Sequence, residues 1–269
     1  ERFSSLYQGD EAIVKGCLHD MGPSAFHPND LQLFSDAQLD SWTQEHLQKL
    51  GALKVAKRYN EEDPLHWTPG WSLTYNCRRF IPFTYCFSDV SSHINSSYAC
   101  YTGNGVAAGV CLEEAILQGL FELVERDAVA IWWYNQIQRP APNAEVLADS
   151  FYIKTKEEYK SAGWNMWVLD LTHDLSIPVY AALAQSEKDG RFCIGFGCHL
   201  SSRLALYRAL TELNQLFDPA GDLKTPWDDH AMTSRDYLFP SGESASSRTY
   251  PLNQTGFLDD IQECLHLLN

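Results

Sequence analysis

The sequence predicts an α+β or α/β domain of strands and long helices, on three observations. Short aromatic and β-branched runs bounded by Gly, Pro and Asn recur along the chain. Stretches with helical spacing of apolar residues stand between them. The connections are long, which argues for α+β or α/β layering over a sandwich or a bundle. With 269 residues and 45% hydrophobic content, the chain can bury a sizeable core as one large domain or two joined halves. The expected division is residues 1–142 and 143–269.

In chain order, residues 1–50 have helical spacing, interrupted at "MGPSAFHPND", where Gly22, Pro23 and Pro28 predict a loop. "NEEDPLHWTPG" reads as a second loop. "SLTYNC" and "RRFIPFTYCF" read as paired strands with Pro82 at an edge or bulge. "INSSYACYTGNGVAAG" reads as a strand running into a glycine loop. A long helix is expected from Leu112 to Trp133, ended by Pro140 and Pro142 in "RPAPN". "WNMWVLDLT", "IPVYAALAQ" and "RFCIGFGCHL" read as strands. "SSRLALYRALTELNQLF" reads as a helix with Ser201 or Ser202 at its N-cap. The polar stretch from Asp218 to Ser247 reads as a surface loop, and "GFLDDIQECLHLLN" as a final amphipathic helix.

Charge and cysteine usage narrow the function classes. A formal net charge of −15 argues against nucleic acid or an anionic membrane as partner, since both need clustered Lys and Arg. Every apolar run is shorter than the roughly 20 residues that span a bilayer. The eight cysteines have no C-x-x-C spacing, which disfavours a structural zinc site and fits reduced thiols in a cytoplasmic protein. The opening Glu1-Arg2 and the ending inside an amphipathic pattern suggest a segment of a longer protein.

The chemistry-bearing residues lie on two helices. Glu114, Gln118, Glu122 and Glu125 are spaced to share one face, with Arg126 following directly. Apolar residues flank this narrow acidic stripe on both sides, which suggests a groove that holds a cation. Arg208, Glu212 and Gln215 repeat the design on the second helix. Carboxylates repel a bare phosphate, but Mg²⁺ shared between Glu122, Glu125, Glu212 and phosphate oxygens would make them useful. Arg126 and Arg208 could then contact phosphate or hold the carboxylates. Buried Glu–Arg pairs without a ligand are the competing reading. "TGNGVAAG" also fits a dinucleotide fingerprint, but the required acidic residue would fall inside a helix rather than at the end of a second strand. No nucleophilic triad is evident, and no catalytic residue is assigned. His199 is the histidine to test first, against a structural role in the turn.

The runs "NGVAAGVCLEEAILQGLFELVERDAVAIWWYN", "GFGCHLSSRLALYRALTELNQLF", "ERFSSLYQGDE" and "WTPGWSLT" resemble the YcaO family. Within it they resemble the cyclodehydratase D proteins of thiazole/oxazole-modified peptide biosynthesis. The resemblance covers nearly the whole chain. It implies a YcaO-type ATP-binding fold with internal pseudo-symmetry, binding ATP and Mg²⁺. The implied nucleotide-binding residues are Glu114, Glu122, Glu125, Arg126, Arg208, Glu212, Gln215 and Arg2, with Glu1, Glu122, Glu125 and Glu212 holding Mg²⁺. Glu1 and Arg2 match the end of an earlier Glu-x-x-Glu-Arg. Val110 stands where relatives often have an asparagine, and a proline-rich C-terminal tail is not seen. The implied reaction is ATP-dependent conversion of Cys, Ser or Thr in a ribosomal precursor peptide to azolines, with thioamide or amidine formation as the alternative within the family. A nucleotide-binding scaffold without catalysis is the alternative outside it. The implied partners are the precursor peptide and a leader-binding protein or fused domain, with a homodimer allowed.

Overall fold

Trp67 shows why the first sheet forms: its ring is fully buried and its Nε1 donates to the Gly16 carbonyl at 2.9 Å. The computed structural model describes residues 5–41, 57–91, 93–94, 98–218, 236–242 and 256–268. The chain forms two compact units, Glu1–Val106 and Ala107–Asn269. The long helix that begins at Leu112 belongs with the second unit.

In the first unit, strands β1 (Val14–Gly16), β2 (Leu65–Ser72) and β3 (Cys77–Pro82) form an antiparallel sheet in that order. The short helices α1 (Leu18–Met21), α2 (Pro28–Gln32), α3 (Asp36–Ser41) and α4 (Phe83–Cys86) surround it in the chain. Several expectations change here. The predicted loop "LHWTPG" is strand, because Leu65, Trp67 and Thr68 are buried, and β1 stops pairing at Trp67, leaving β2 a free side where Pro69 costs no ladder bond. Pro28 starts α2 at a position where a missing N–H is harmless. "FTYC" is a helical turn that begins directly after Pro82, so β3 ends there. Between Tyr98 and Val110 the described residues contain no strand, against expectation.

The second unit is layered. Strands β4 (Trp164–Asp170), β5 (Val179–Ser186) and β6 (Phe192–Cys198) make an antiparallel sheet with β6 at one edge. On one face lie α5 (Leu112–Asn135) and α9 (Phe257–Leu267), through Leu117, Phe121, Val124, Ala128, Trp132, Ile261 and Cys264. On the other lie α7 (Ser150–Ser161) and α8 (Ser202–Leu216), through Tyr152, Tyr159, Ala205, Ala209 and Leu213. The short α6 (Ala144–Leu147) precedes α7. The sequence pattern does not assign α6 and α7; α7 is dominated by Lys, Glu, Ser and Thr, and the rings it buries are tyrosines that are easily taken for surface residues. The end of α5 is also set differently. Gln136 turns left-handed (φ 51°) and closes the helix before Pro140 is reached. Ser201 caps α8 as expected, accepting from the Leu204 N–H.

Two glycines decide how α8 meets the sheet. A Cβ on Gly195 would stand 2.5 Å from the Ala209 carbonyl oxygen, and one on Gly197 would stand 2.8 Å from Arg208 Cβ. The helix backbone thus lies directly on β6, with Ala205 and Ala209 in the contact. Gly197→Ala is expected to cost about 2 kcal/mol or more and lower the Tm by about 5 °C, since neither backbone can retreat. Gly103→Ala, which meets only the Tyr101 hydroxyl at 3.4 Å, serves as the neutral control in thermal denaturation.

Candidate functional site

An edge strand leaves every second N–H and C=O without a ladder partner. At β6 two of these groups are taken by α8. The Phe196 N–H donates to Glu212 Oε2 at 2.5 Å, and Arg208 Nη1 donates to the Cys198 carbonyl at 3.1 Å. Arg208 Nη2 also donates to Gln118 Oε1 on α5, and the guanidinium lies 5.7 Å from the Phe121 ring centre. The two helices therefore meet around the edge of β6. Gln118 is the residue that sequence reasoning put on the stripe but not in the site; its i,i+4 spacing to Glu114 and Glu122 carried the signal.

Four charged groups gather beside this contact. Arg126 Nη2 is 3.5 Å from Glu122 Oε1 on the next turn of α5. Burial pushes the Glu125 carboxyl up to about 7; the nearby Glu212 charge adds to the rise, and Arg126 and Arg208 oppose it. Burial also raises Glu212, while the Phe196 N–H and Arg126 hold it down. Burial and the Glu212 charge both oppose ionisation of Glu125, which is partly protonated near neutral pH. A divalent cation between the two carboxyls would remove that conflict.

The remaining predicted residues divide. Glu114 turns back on its own loop and accepts the Val110 N–H at 2.7 Å, with Gly109 packed too tightly against Ala115 N (2.6 Å) to carry a side chain. It thus holds the glycine loop at the start of α5. Gln215 is exposed on the last turn of α8. Val110 is 94% exposed and makes no apolar packing that would explain it. Glu1 and Arg2 lie outside the described residues. His199 follows the structural reading: its Nδ1 accepts the Ser201 N–H at 2.9 Å, its ring lies 4.8 Å from Phe121, and burial beside Arg208 drops it to about 4. It is neutral at pH 7 and shapes the turn into α8. None of the eight cysteines forms a disulfide.

The donor set fits one kind of metal site. Among the described residues no three His, Cys, Asp or Glu side chains converge as a cage. Mg²⁺ uses one or two carboxylates and completes its octahedron with phosphate oxygens and water, so Glu125 and Glu212 suit a nucleotide-bridged ion.

The family model described as YcaO cyclodehydratase, ATP- and Mg²⁺-binding, matches residues 1–269. The chain belongs to the YcaO family. ATP and Mg²⁺ are that family's cofactors, as the sequence implies. A solved heterocyclase in complex with substrate and cofactor superposes with a TM-score of 0.86 at 32% identity, covering 99% of this chain and 38% of its own. The heterocyclase TruD gives 0.82 at 31% identity, covering 99% and 39%. A YcaO protein of Methanopyrus kandleri, bound with AMPPCP and Mg²⁺, shares the fold with a TM-score of 0.66 at 20% identity, covering 98% and 63%. The present chain thus spans under two fifths of the two heterocyclases it resembles. Its α+β YcaO fold is the one expected, and no helix among the described residues is long and apolar enough to cross a membrane.

The raised carboxyls give a pH prediction with a definite sign. A folded-state pKa above the unfolded value of 4.5 stabilises the chain below about pH 4.5, and that contribution is lost as pH rises through about 7. Without nucleotide, wild-type stability should fall by on the order of 2 kcal/mol between pH 5 and about 8 through this group, and Glu125→Gln should flatten the slope. Mg-ATP binding near pH 6.5 should release protons, seen as a buffer-dependent heat in calorimetry; Glu125→Gln should abolish the release and weaken binding by about tenfold. Equal proton release by both proteins would remove Glu125 from the metal's surroundings.

Proposed function

We propose that this chain is the ATP-using part of a peptide cyclodehydratase. The observation that carries the reading is the Glu125–Glu212 pair, held by α5 and α8 around the β6 edge with Arg126 and Arg208 beside it. The heterocyclase likeness above 30% identity along 99% of the chain supports the same reading.

The roles follow from position. Glu125 and Glu212, with Glu122 near, are the residues that would hold Mg²⁺ for the nucleotide. Arg126, half exposed on the groove wall, is placed to neutralise phosphate charge. Arg208 already donates to Cys198 and Gln118, so its main work is to keep the two walls in register. Gln118 supports it. Glu114 fixes the loop entering α5, while Gln215, Glu1 and Arg2 are assigned to the nucleotide by the family pattern alone.

Bound Mg-ATP supplies the phosphoryl group that turns a peptide carbonyl oxygen into a leaving phosphate. A substrate Cys, Ser or Thr side chain adds to the preceding backbone carbonyl carbon, so the nucleophile belongs to the peptide. The protein's task is positioning and charge neutralisation. His199 cannot serve as general base through Nδ1, because that atom is engaged by the Ser201 N–H. A precursor peptide and a leader-binding partner or fused domain complete the proposed assembly, with self-association as a further element.

Phosphate release from ATP should depend on a Cys-, Ser- or Thr-containing peptide presented with its leader-binding partner, with one water mass lost per ring in mass spectrometry. Phosphate release without that mass loss, in the presence of a sulfur or nitrogen donor, would redirect the reading to thioamide or amidine formation. ATP binding with no peptide-coupled turnover would leave a scaffold.

A further inference from the structure

The first sheet carries its core face out past its own core. Residues two apart on a strand share a face, and in the β2–β3 register Trp67 stands opposite Pro82, Pro69 opposite Phe80 and Trp71 opposite Arg78. At the inner end of that face Leu65 and Trp67 are buried with Tyr59, and Phe80 packs against them. Further along the same face Trp71 is 61% exposed. The turn that follows adds Leu73, also exposed, and Tyr75, 70% exposed. A single exposed apolar residue is ordinary, but this group is continuous with a core face and gathers on one hairpin tip.

Charge narrows what could cover it. The net charge of the chain is −15, yet residues 64–88 contain no Asp or Glu. Arg78 and Arg79 fall inside that stretch. The Arg78 guanidinium lies 5.1 Å from the Phe80 ring centre; Arg79 lies 5.6 Å from the Tyr75 ring centre and donates from Nη1 to the Pro23 carbonyl at 2.8 Å. Neither forms an ion pair among the described residues. Arg78 is exposed and shares the face of Trp71. A guanidinium resting on a ring still offers N–H groups to a carboxylate.

Three coverings compete, and the charges separate them. An anionic membrane surface repels a chain of −15. A second copy docked by the same face sets Arg78 against Arg78. A peptide with carboxylates beside apolar side chains matches both the apolar tip and the arginines. Pro69 limits how such a peptide binds, because a strand edge without that N–H is poor ground for an added strand, and side chains must carry the contact. We infer that the exposed face of the β2–β3 hairpin docks an acidic segment of a partner protein, with an apolar side chain on Trp71 and Pro69 and a neighbouring carboxylate on Arg78. The surface uses none of the residues assigned to ATP or Mg²⁺.

The test titrates the intact protein with an acetylated, amidated octapeptide alternating Leu and Glu, and follows the amides of residues 73–78 by NMR. The shifts should saturate. The Leu–Gln and Ser–Glu counterparts should bind at least about tenfold more weakly. Arg78→Gln should weaken the Leu–Glu peptide about tenfold and leave the Leu–Gln peptide unchanged, whereas Trp71→Ala should weaken both. Both positions are exposed, so both variants should keep the wild-type Tm. Absence of saturable shifts, equal binding of the Leu–Gln peptide, or indifference to Arg78→Gln would overturn the proposal. So would self-association, or sedimentation with phosphatidylcholine vesicles, that Trp71→Ala abolishes while no peptide binds.

Discussion

The open edge of β6 is the constraint on which the site depends. A strand with one unpaired side must hand its N–H and C=O groups to something, because leaving them bare near a core costs as much as a lost hydrogen bond. Here the acceptor and donor are Glu212 and Arg208, charged side chains from the helix behind the sheet. Satisfying the strand therefore fixes the position of a carboxylate and a guanidinium. The same arginine reaches Gln118, so α5 on the far face of the sheet is tied to the arrangement. Structural need and chemical use fall on the same atoms.

Glu125 shows the cost of the arrangement. Facing Glu212 in a partly buried groove, it is held partly protonated near neutral pH. A core that wanted only stability would place an apolar residue or a matched ion pair there. The excess of carboxylate is tolerated because a doubly charged ligand reverses its sign, converting repulsion into coordination.

How much of this was legible in the sequence varies with the physics involved. The spacing of Glu122, Glu125 and Arg126 and of Arg208 and Glu212 marks two helix faces, and periodicity is a local property, so both helices and the three strands of the second unit can be read directly. The strand at Leu65–Ser72 cannot, because its Pro and Gly argue for a loop until the short reach of β1 is known. The polar helix Ser150–Ser161 hides for the opposite reason, since its tyrosines bury against a sheet that local pattern does not reveal. The separate duties of Glu114, which serves its own loop, and of Arg208, which serves a strand edge, depend on three-dimensional partners. Spacing gives the same value to every member of a stripe, and only packing tells them apart.

The glycines of β6 have one more consequence. Because α8 rests on the strand backbone at Gly195 and Gly197, helix and sheet touch through main-chain atoms that have no rotamers to change. The opposing wall, α5, meets the sheet through long side chains such as Leu117, Phe121 and Trp132, which can repack. The groove thus has one stiff jaw and one compliant jaw. Any opening or closing around a ligand falls to α5, and the stiff jaw keeps Arg208 and Glu212 in constant register with the strand as it happens.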